Sequence, residues 1–134
     1  MYQKKSWTFE SEEIADKFND HVREQLPWYD MVSDAVAYIV RNYLTESNTV
    51  VDIGASTGNM IDKLMPLLLE RKAYAYAIEK SPTMVDVLKR RFENHHNVTI
   101  AQADIRHDSA PVAARRARPF RSAVACCRWR ASRS

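Results

Sequence analysis

Residues 50–59 read Val-Val-Asp-Ile-Gly-Ala-Ser-Thr-Gly-Asn: a short apolar run, then two glycines, Gly54 and Gly58, on either side of Ser56. This pattern predicts a sharp turn from a strand into a helix. Two kinds of site use such a turn, a backbone cradle for a nucleotide-like ligand and the elbow that presents a serine nucleophile. The order of elements along the rest of the chain must decide between them.

Hydrophobic periodicity predicts alternating strands and helices around this turn. Apolar, β-branched runs predict strands at 49–53, 73–78 and 98–103. Helical patterns fill the gaps and precede the first strand, at 11–26, 30–44, 58–70 and from Ser81 onward. A βαβαβ order gives a parallel sheet with right-handed crossovers, which is half of a doubly wound fold. We therefore expect an α/β, Rossmann-like fold with two helices before the sheet.

Local signals predict the ends and inner faces of the helices. Ser11 is expected to cap the first helix and Pro27 to end it, while Ser81 and Pro82 are expected to start the last one. Pro66 lies inside the third helix and is expected to kink or shorten it. Spacing predicts three inward faces: Ile14, Phe18, Val22 and Leu26; Val32, Val36, Ile39, Val40 and Tyr43; and Met84, Val85, Leu88 and Phe92.

The charge distribution divides the chain near residue 105. Residues 1–104 hold 12 Lys and Arg against 16 Asp and Glu, a net charge of −4. Residues 105–134 hold 8 Arg against Asp108, a net charge of +7. We expect residues 1–106 to form one domain. Residues 107–134 lose the periodic pattern and are expected to be either a disordered basic tail or a stretch translated out of frame.

Composition excludes several other classes of protein. Cys126 and Cys127 are adjacent, which suggests neither a disulfide framework nor a metal site. No run approaches the ~18 apolar residues of a membrane span. The first 13 residues lack the apolar segment of a secretion signal. We expect a cytoplasmic chain with no membrane partner.

Three acidic residues are predicted at one edge of the sheet. Asp52, Glu79 and Asp104 each lie at the end of a predicted strand, and ligands of open α/β sheets bind at that carboxyl edge. Glu79 lies where an acidic side chain reaches a ribose diol. Asp104 is placed to accept a hydrogen bond from an adenine amino group. Alone, Glu79 would more simply be a surface residue beside Lys80.

These motifs resemble those of class I S-adenosylmethionine-dependent methyltransferases. Most of that family has glycine at the position of Ser56, whereas the carboxy-S-adenosylmethionine synthases of tRNA wobble-uridine modification have serine there. The stretches that resemble that subfamily are Trp7-Thr8-Phe9-Glu10, Ile14-Ala15, Phe18, Pro27, Tyr29, IEKSPTMV at 78–85 and ADIR at 103–106. The resemblance covers about residues 5–106 and then ceases, so it implies a truncated fold that is weakly active or inactive.

The resemblance implies S-adenosylmethionine, or a carboxylated derivative, as the cofactor. Asp52, Gly54 and Gly58 would hold its methionine part, Glu79 its ribose and Asp104 its adenine. The neighbouring residues expected in the same site are Ala55, Ser56, Lys80 and Ile105. No catalytic residue is predicted, and no metal.

Alternatives remain open at this point. Gly54-Ala55-Ser56-Thr57-Gly58 also fits the nucleophile elbow, with His95, His96 or His107 as the base, although that elbow normally follows a later strand. As an alternative to an enzyme, the chain is a nonenzymatic binding protein whose basic tail binds RNA, DNA or a protein partner. The exposed edge of the first strand predicts a tendency to form homodimers.

Overall fold

The computed structural model describes residues 12–108, with side chains described from Lys17 onward. Ser11, the side chain of Ile14 and the tail beyond Asp108, with both cysteines, lie outside the described residues. The elements occur in the predicted order: α1 (Glu12–Gln25), α2 (Tyr29–Tyr43), β1 (Thr49–Ile53), α3 (Asn59–Glu70), β2 (Tyr74–Glu79), α4 (Pro82–Arg91) and β3 (Val98–Gln102).

The three strands form a parallel sheet in the order β1-β2-β3. Asp52 pairs with Ala77 across β1 and β2, and Glu79 pairs with Gln102 across β2 and β3. The predicted parallel half-sheet is confirmed. Within residues 12–108, β1 has a strand neighbour on one side only, so its other edge carries unpaired backbone groups.

The helices cover one face of the sheet. Val50, Ala75 and Ala77 point into a core that the helices complete with Val40, Leu44, Ile61, Leu64, Met65, Leu68, Leu88 and Phe92. Val51, Tyr76 and Ile78 form a smaller buried cluster on the opposite face. Because side chains alternate along a strand, Asp52 and Glu79 belong to the face that the helices cover.

The start of α4 was predicted correctly. Ser81 is its N-cap and accepts a hydrogen bond from the amide of Met84, and Pro82 occupies the first turn. The predicted inner face is buried: Met84, Val85, Leu88 and Phe92 are each at most 4% exposed. A serine oxygen satisfies an amide that has no partner in the helix, and proline has no N–H to satisfy, so both residues favour a helix start here.

Two predictions about the helices were wrong in part. Val36 and Val40 of the predicted face of α2 pack on the core, whereas Val32, Ile39 and Tyr43 are 49%, 55% and 67% exposed and Ser33 is buried in their place. The small side chain of Ser33 lies inside because its hydroxyl donates to the carbonyl of Tyr29, at 2.8 Å, and so needs no other partner. Pro66 does not shorten α3, which continues to Glu70.

Gly58 sets how closely α3 approaches α4. It precedes α3 in the left-handed conformation, with φ 84°. A Cβ at this position would lie 2.4 Å from Cε2 of Phe92 and 2.8 Å from Cδ2 of Leu88. The absence of a side chain therefore allows the turn to pack directly on the core side of α4.

We expect Gly58→Ala to lower the free energy of unfolding by about 2–4 kcal/mol, because the left-handed conformation and the clash with Phe92 both oppose a Cβ. Gly54→Ala is the matched control. Gly54 is also left-handed, with φ 77°, but a Cβ there meets nothing within 4 Å, so a loss of about 1–2 kcal/mol is expected. Urea unfolding of the two variants measures the difference, and equal losses would contradict the packing role of Gly58.

Candidate functional site

The turn between β1 and α3 has an unusual backbone. Gly54, Ser56 and Gly58 all have positive φ, at 77°, 52° and 84°. The amides of Gly54 and Ala55 both donate to the carbonyl of Ile78 in β2, at 2.8 and 3.1 Å. Glycine adopts such angles freely, whereas a serine does so at a cost of about 1–2 kcal/mol. Ser56 therefore needs contacts that hold it in place.

Glu79 supplies the main contact to Ser56. The amide of Ser56 donates to its Oε2 at 2.9 Å, and the amides of Lys80 and Ser81 donate to its Oε1 at 2.8 and 2.9 Å. Glu79 is only 9% exposed, so the alternative interpretation of it as a surface residue beside Lys80 was wrong. One carboxylate thus fastens the turn after β1 to the turn after β2.

Asp52 is a buried carboxylate with an unsatisfied oxygen. It is 5% exposed, and its Oδ2 has no hydrogen-bond partner among the described residues. Burial, and secondarily the charge of Glu79, raise the pKa of Asp52 to about 6. A buried acceptor without a partner is costly, so this oxygen is suited to a ligand that brings a donor, and a cationic donor best.

Gly54 leaves open space two residues further along the chain. It is exposed, and a Cβ built on it would have no atom within 4 Å. The unsatisfied oxygen of Asp52 therefore lies close in sequence to a bare backbone position that a ligand can approach. Both observations fit a small molecule with an ammonium group.

Asp104 forms an ion pair with Arg106. Both of its carboxylate oxygens accept hydrogen bonds from the guanidinium of Arg106, and this pairing holds the pKa of Asp104 well below its usual range. The backbone just after β3 contacts Glu79 directly, since the amide of Ala103 donates to the carbonyl of Glu79 at 3.0 Å. Lys80 and Ile105 are exposed beside these turns.

Four polar residues around the turn were missed by the sequence analysis. Thr57 is 2% exposed, and its hydroxyl donates to Oδ1 of Asn19 at 2.7 Å. Asn59 also donates to Oδ1 of Asn19, at 2.6 Å, and accepts from Nη1 of Arg91 at 2.9 Å. These partners lie 32–40 residues apart, and each was an ordinary polar residue on a helix or turn in the sequence.

The nucleophile-elbow interpretation finds no support in the described contacts. Oγ of Ser56 lies 3.8 Å from the sulfur of Met84. Within residues 12–108, no histidine is hydrogen-bonded to Ser56, although a serine nucleophile needs such a base. The same part of the chain holds no group of three His, Cys, Asp or Glu side chains that could bind a metal. None of the described helices is long and apolar enough to cross a membrane.

Comparison with known proteins identifies relatives for most of the chain, although no protein-family model matches it. The carboxy-S-adenosyl-L-methionine synthase of Staphylococcus epidermidis is 35% identical over 104 residues, which are 78% of this chain and 45% of that protein. The synthase of Actinobacillus pleuropneumoniae is 27% identical over 75% of this chain and 43% of its own length. The chain spans about half the length of the curated relatives it matches.

A solved structure shows the same fold. The S-adenosylmethionine-dependent methyltransferase from Aquifex aeolicus matches 70% of this chain and 47% of its own, with a TM-score of 0.51 and 23% identity. The expected Rossmann-like fold and the family resemblance are confirmed. The chain is thus a homologue of part of the carboxy-S-adenosyl-L-methionine synthases and carries a three-stranded part of the Rossmann-like fold of S-adenosylmethionine-dependent methyltransferases.

Proposed function

We propose that this chain binds S-adenosylmethionine, or a carboxylated derivative of it, in the turn between β1 and α3. The observation that carries the proposal is the unsatisfied Oδ2 of Asp52, two residues before the open backbone at Gly54. The methionine part of the cofactor brings an ammonium group that would satisfy that oxygen. Homology to the carboxy-S-adenosyl-L-methionine synthase of Staphylococcus epidermidis supports the same ligand.

The contacts within the site suggest a role for each residue. Asp52 would hold the ammonium group, and the backbone of Gly54, Ala55 and Ser56 would lie against the methionine part. Glu79 accepts only one described hydrogen bond at Oε2, so this oxygen retains a lone pair for a ribose hydroxyl. Gly58 would contribute by giving the turn its shape.

The adenine end of the ligand is assigned to the turn after β3. Asp104 would accept a hydrogen bond from the adenine amino group, with Ile105 and Lys80 beside it. Arg106 keeps the carboxylate of Asp104 ionised and therefore able only to accept hydrogen bonds. The bound cofactor would supply a sulfonium-activated methyl group, and the chain's own residues would bind and orient it.

We propose activity and partners only at a coarser level. The chain is a methyltransferase-like or cofactor-modifying protein related to tRNA modification in the cytoplasm, and it is weakly active or inactive because the described sheet has three strands. A homodimer is supported by the unpaired edge of β1 and by the exposed Met31, Tyr38 and Tyr43 of α2. Nucleic-acid binding by the arginines beyond residue 108 lies outside the described residues and stays a prediction.

The binding proposal is tested by calorimetric titration with S-adenosylmethionine and S-adenosylhomocysteine. We expect Asp52→Asn and Gly54→Ala each to weaken binding by 10-fold or more, because the first removes the charge that meets the ammonium and the second fills the space for the ligand. Both variants should remain folded at 25 °C. Glu79→Ala is unsuitable because it would release three backbone amides and disrupt the turn.

The matched control for the charge change is Asp86→Asn, on the exposed side of α4. It removes one carboxylate without touching the turn, so its affinity should equal that of the wild type. Wild-type affinity in Asp52→Asn would contradict the proposed site, and absence of binding by the wild type would contradict the proposed function.

The raised pKa of Asp52 predicts how stability depends on pH. Well below pH 3.8 the carboxyl is protonated in both the folded and the unfolded chain. Between pH 4 and pH 6 the folded chain retains the proton that the unfolded chain loses, so stability falls as pH rises. With a folded pKa of about 6 against 3.8, we expect the unfolding free energy of Asp52→Asn relative to wild type to rise by about 2 kcal/mol between pH 4 and 7. Denaturant titrations at several pH values measure this, and a pH-independent difference would contradict it.

The same ionisation predicts that ligand binding depends on pH. An ammonium group favours the ionised form of Asp52, so binding to wild type at pH 5 requires loss of a proton. We expect affinity at pH 5 to be about tenfold weaker than at pH 7, while any residual binding by Asp52→Asn stays flat over this range. Calorimetry at the two pH values gives the comparison. Equal wild-type affinities at pH 5 and pH 7 would exclude Asp52 as the partner of the cation.

A further inference from the structure

The turn that would hold the ligand is fixed on its outer side by two helices. Thr57 lies between two left-handed residues, Ser56 and Gly58, and is almost fully buried. Its carbonyl accepts a hydrogen bond from Nη1 of Arg91 at 2.9 Å, and its hydroxyl donates to Asn19 at 2.7 Å. The carbonyl and the hydroxyl of this residue are thus held by α4 and α1, respectively.

Arg91 is itself held in one orientation. Nη1 donates to the carbonyl of Thr57 and to Oδ1 of Asn59, both at 2.9 Å, and Nη2 donates to Oδ2 of Asp62 at 2.9 Å. The planar fork of a guanidinium suits such divergent acceptors, and a lysine could not reach all three. Arg91 therefore connects the end of α4 both to the turn and to the first turn of α3.

Asn19 connects α1 to the same turn. Its Oδ1 accepts from the hydroxyl of Thr57 and from Nδ2 of Asn59, at 2.7 and 2.6 Å. Asn59 accepts from Arg91 and donates to Asn19, so it lies between the two helices in one continuous chain of hydrogen bonds. Because the partners lie on separate elements, the position of α1 and the conformation of the turn are physically linked.

We propose that Arg91 and Asn19 are positioning residues for the cofactor turn. This inference rests on the proposed function, since it names the residues that hold the backbone of Gly54–Gly58 in its ligand-ready conformation. Neither residue needs to contact the ligand. Glu79 fixes the inner side of the turn through the amide of Ser56, and Arg91 and Asn19 fix the outer side through Thr57 and Asn59. A site held from both sides keeps the geometry that binding requires.

The test compares four variants for binding of S-adenosylhomocysteine and for amide hydrogen exchange of the ligand-free chain. Arg91→Met keeps the length of the side chain but removes its donors, and should weaken binding about 10- to 100-fold, the range expected for loss of charge-assisted hydrogen bonds. Arg91→Lys should recover part of the affinity. Thr57→Val removes the hydroxyl donor to Asn19 and should weaken binding less than Arg91→Met. Lys89→Met is the matched control, because it removes one exposed positive charge from the same helix.

Hydrogen exchange separates positioning from general stability. In Arg91→Met the amides of Ser56 and Gly58 should exchange at least about tenfold faster, whereas those of Ala77 and Ile78 in β2 should change little. Uniformly faster exchange of both groups would show a merely structural role and overturn the proposal. Wild-type affinity together with wild-type exchange of the turn in Arg91→Met would also overturn the proposal.

The outcomes also separate this inference from the proposed function. If the wild type binds S-adenosylhomocysteine and Arg91→Met binds it equally well, the positioning role fails while the proposed function stands. If the wild type does not bind, the proposed function fails, and exchange of the Ser56 and Gly58 amides alone decides whether Arg91 holds the turn. Should Arg91→Met not fold, Arg91→Lys and Thr57→Val carry the same test.

Discussion

The site depends on one buried carboxylate that three backbone amides surround. Glu79 accepts hydrogen bonds from Ser56 after β1 and from Lys80 and Ser81 after β2. Hydrogen bonds to an ionised acceptor are stronger than those between neutral groups, and burial strengthens them further. Two adjacent strand-to-helix turns are therefore held as one unit. This explains how Ser56 can stay in a left-handed conformation that a serine disfavours.

The charge of Glu79 affects the neighbouring carboxyl of Asp52. Asp52 is buried on the same face, and the charge of Glu79 adds to the effect of burial in raising its pKa. The fold thus stabilises one carboxylate fully and leaves the other with an unsatisfied oxygen. Two acidic groups in similar positions acquire different roles because only Glu79 meets backbone amides. Such a difference between neighbouring carboxyl groups is typical of binding and catalytic sites.

The sequence predicted the fold well because its signals are local. Strand β1 was predicted with its observed bounds, and the helix start at Ser81 was read from a cap and a proline. The inner face of α2 was predicted only in part because the sequence places two overlapping apolar stripes on the helix: Val36 and Val40 pack inward, whereas Val32 and Ile39 lie outside. Only contact with α3 decides between the stripes, and that contact is not encoded in the helix alone.

The site was predictable to the extent that it follows from strand ends. The placement of Asp52 and Glu79 could be predicted because parallel strands bring their carboxyl ends to one edge. The sequence did not predict the pairing of Asp104 with Arg106 or the contacts that Asn19 and Arg91 make with the turn. A polar side chain carries no local signal of its partner. The missed residues act on the turn in two ways: Arg91 donates to the backbone carbonyl of Thr57, and Asn19 accepts from the side chains of Thr57 and Asn59. A turn whose function lies in its backbone shape must be held by hydrogen bonds from elsewhere, and those come from side chains distant in sequence. Residues that hold such a turn are therefore visible only after the chain has folded, even where the acidic residues at the strand ends can be predicted directly.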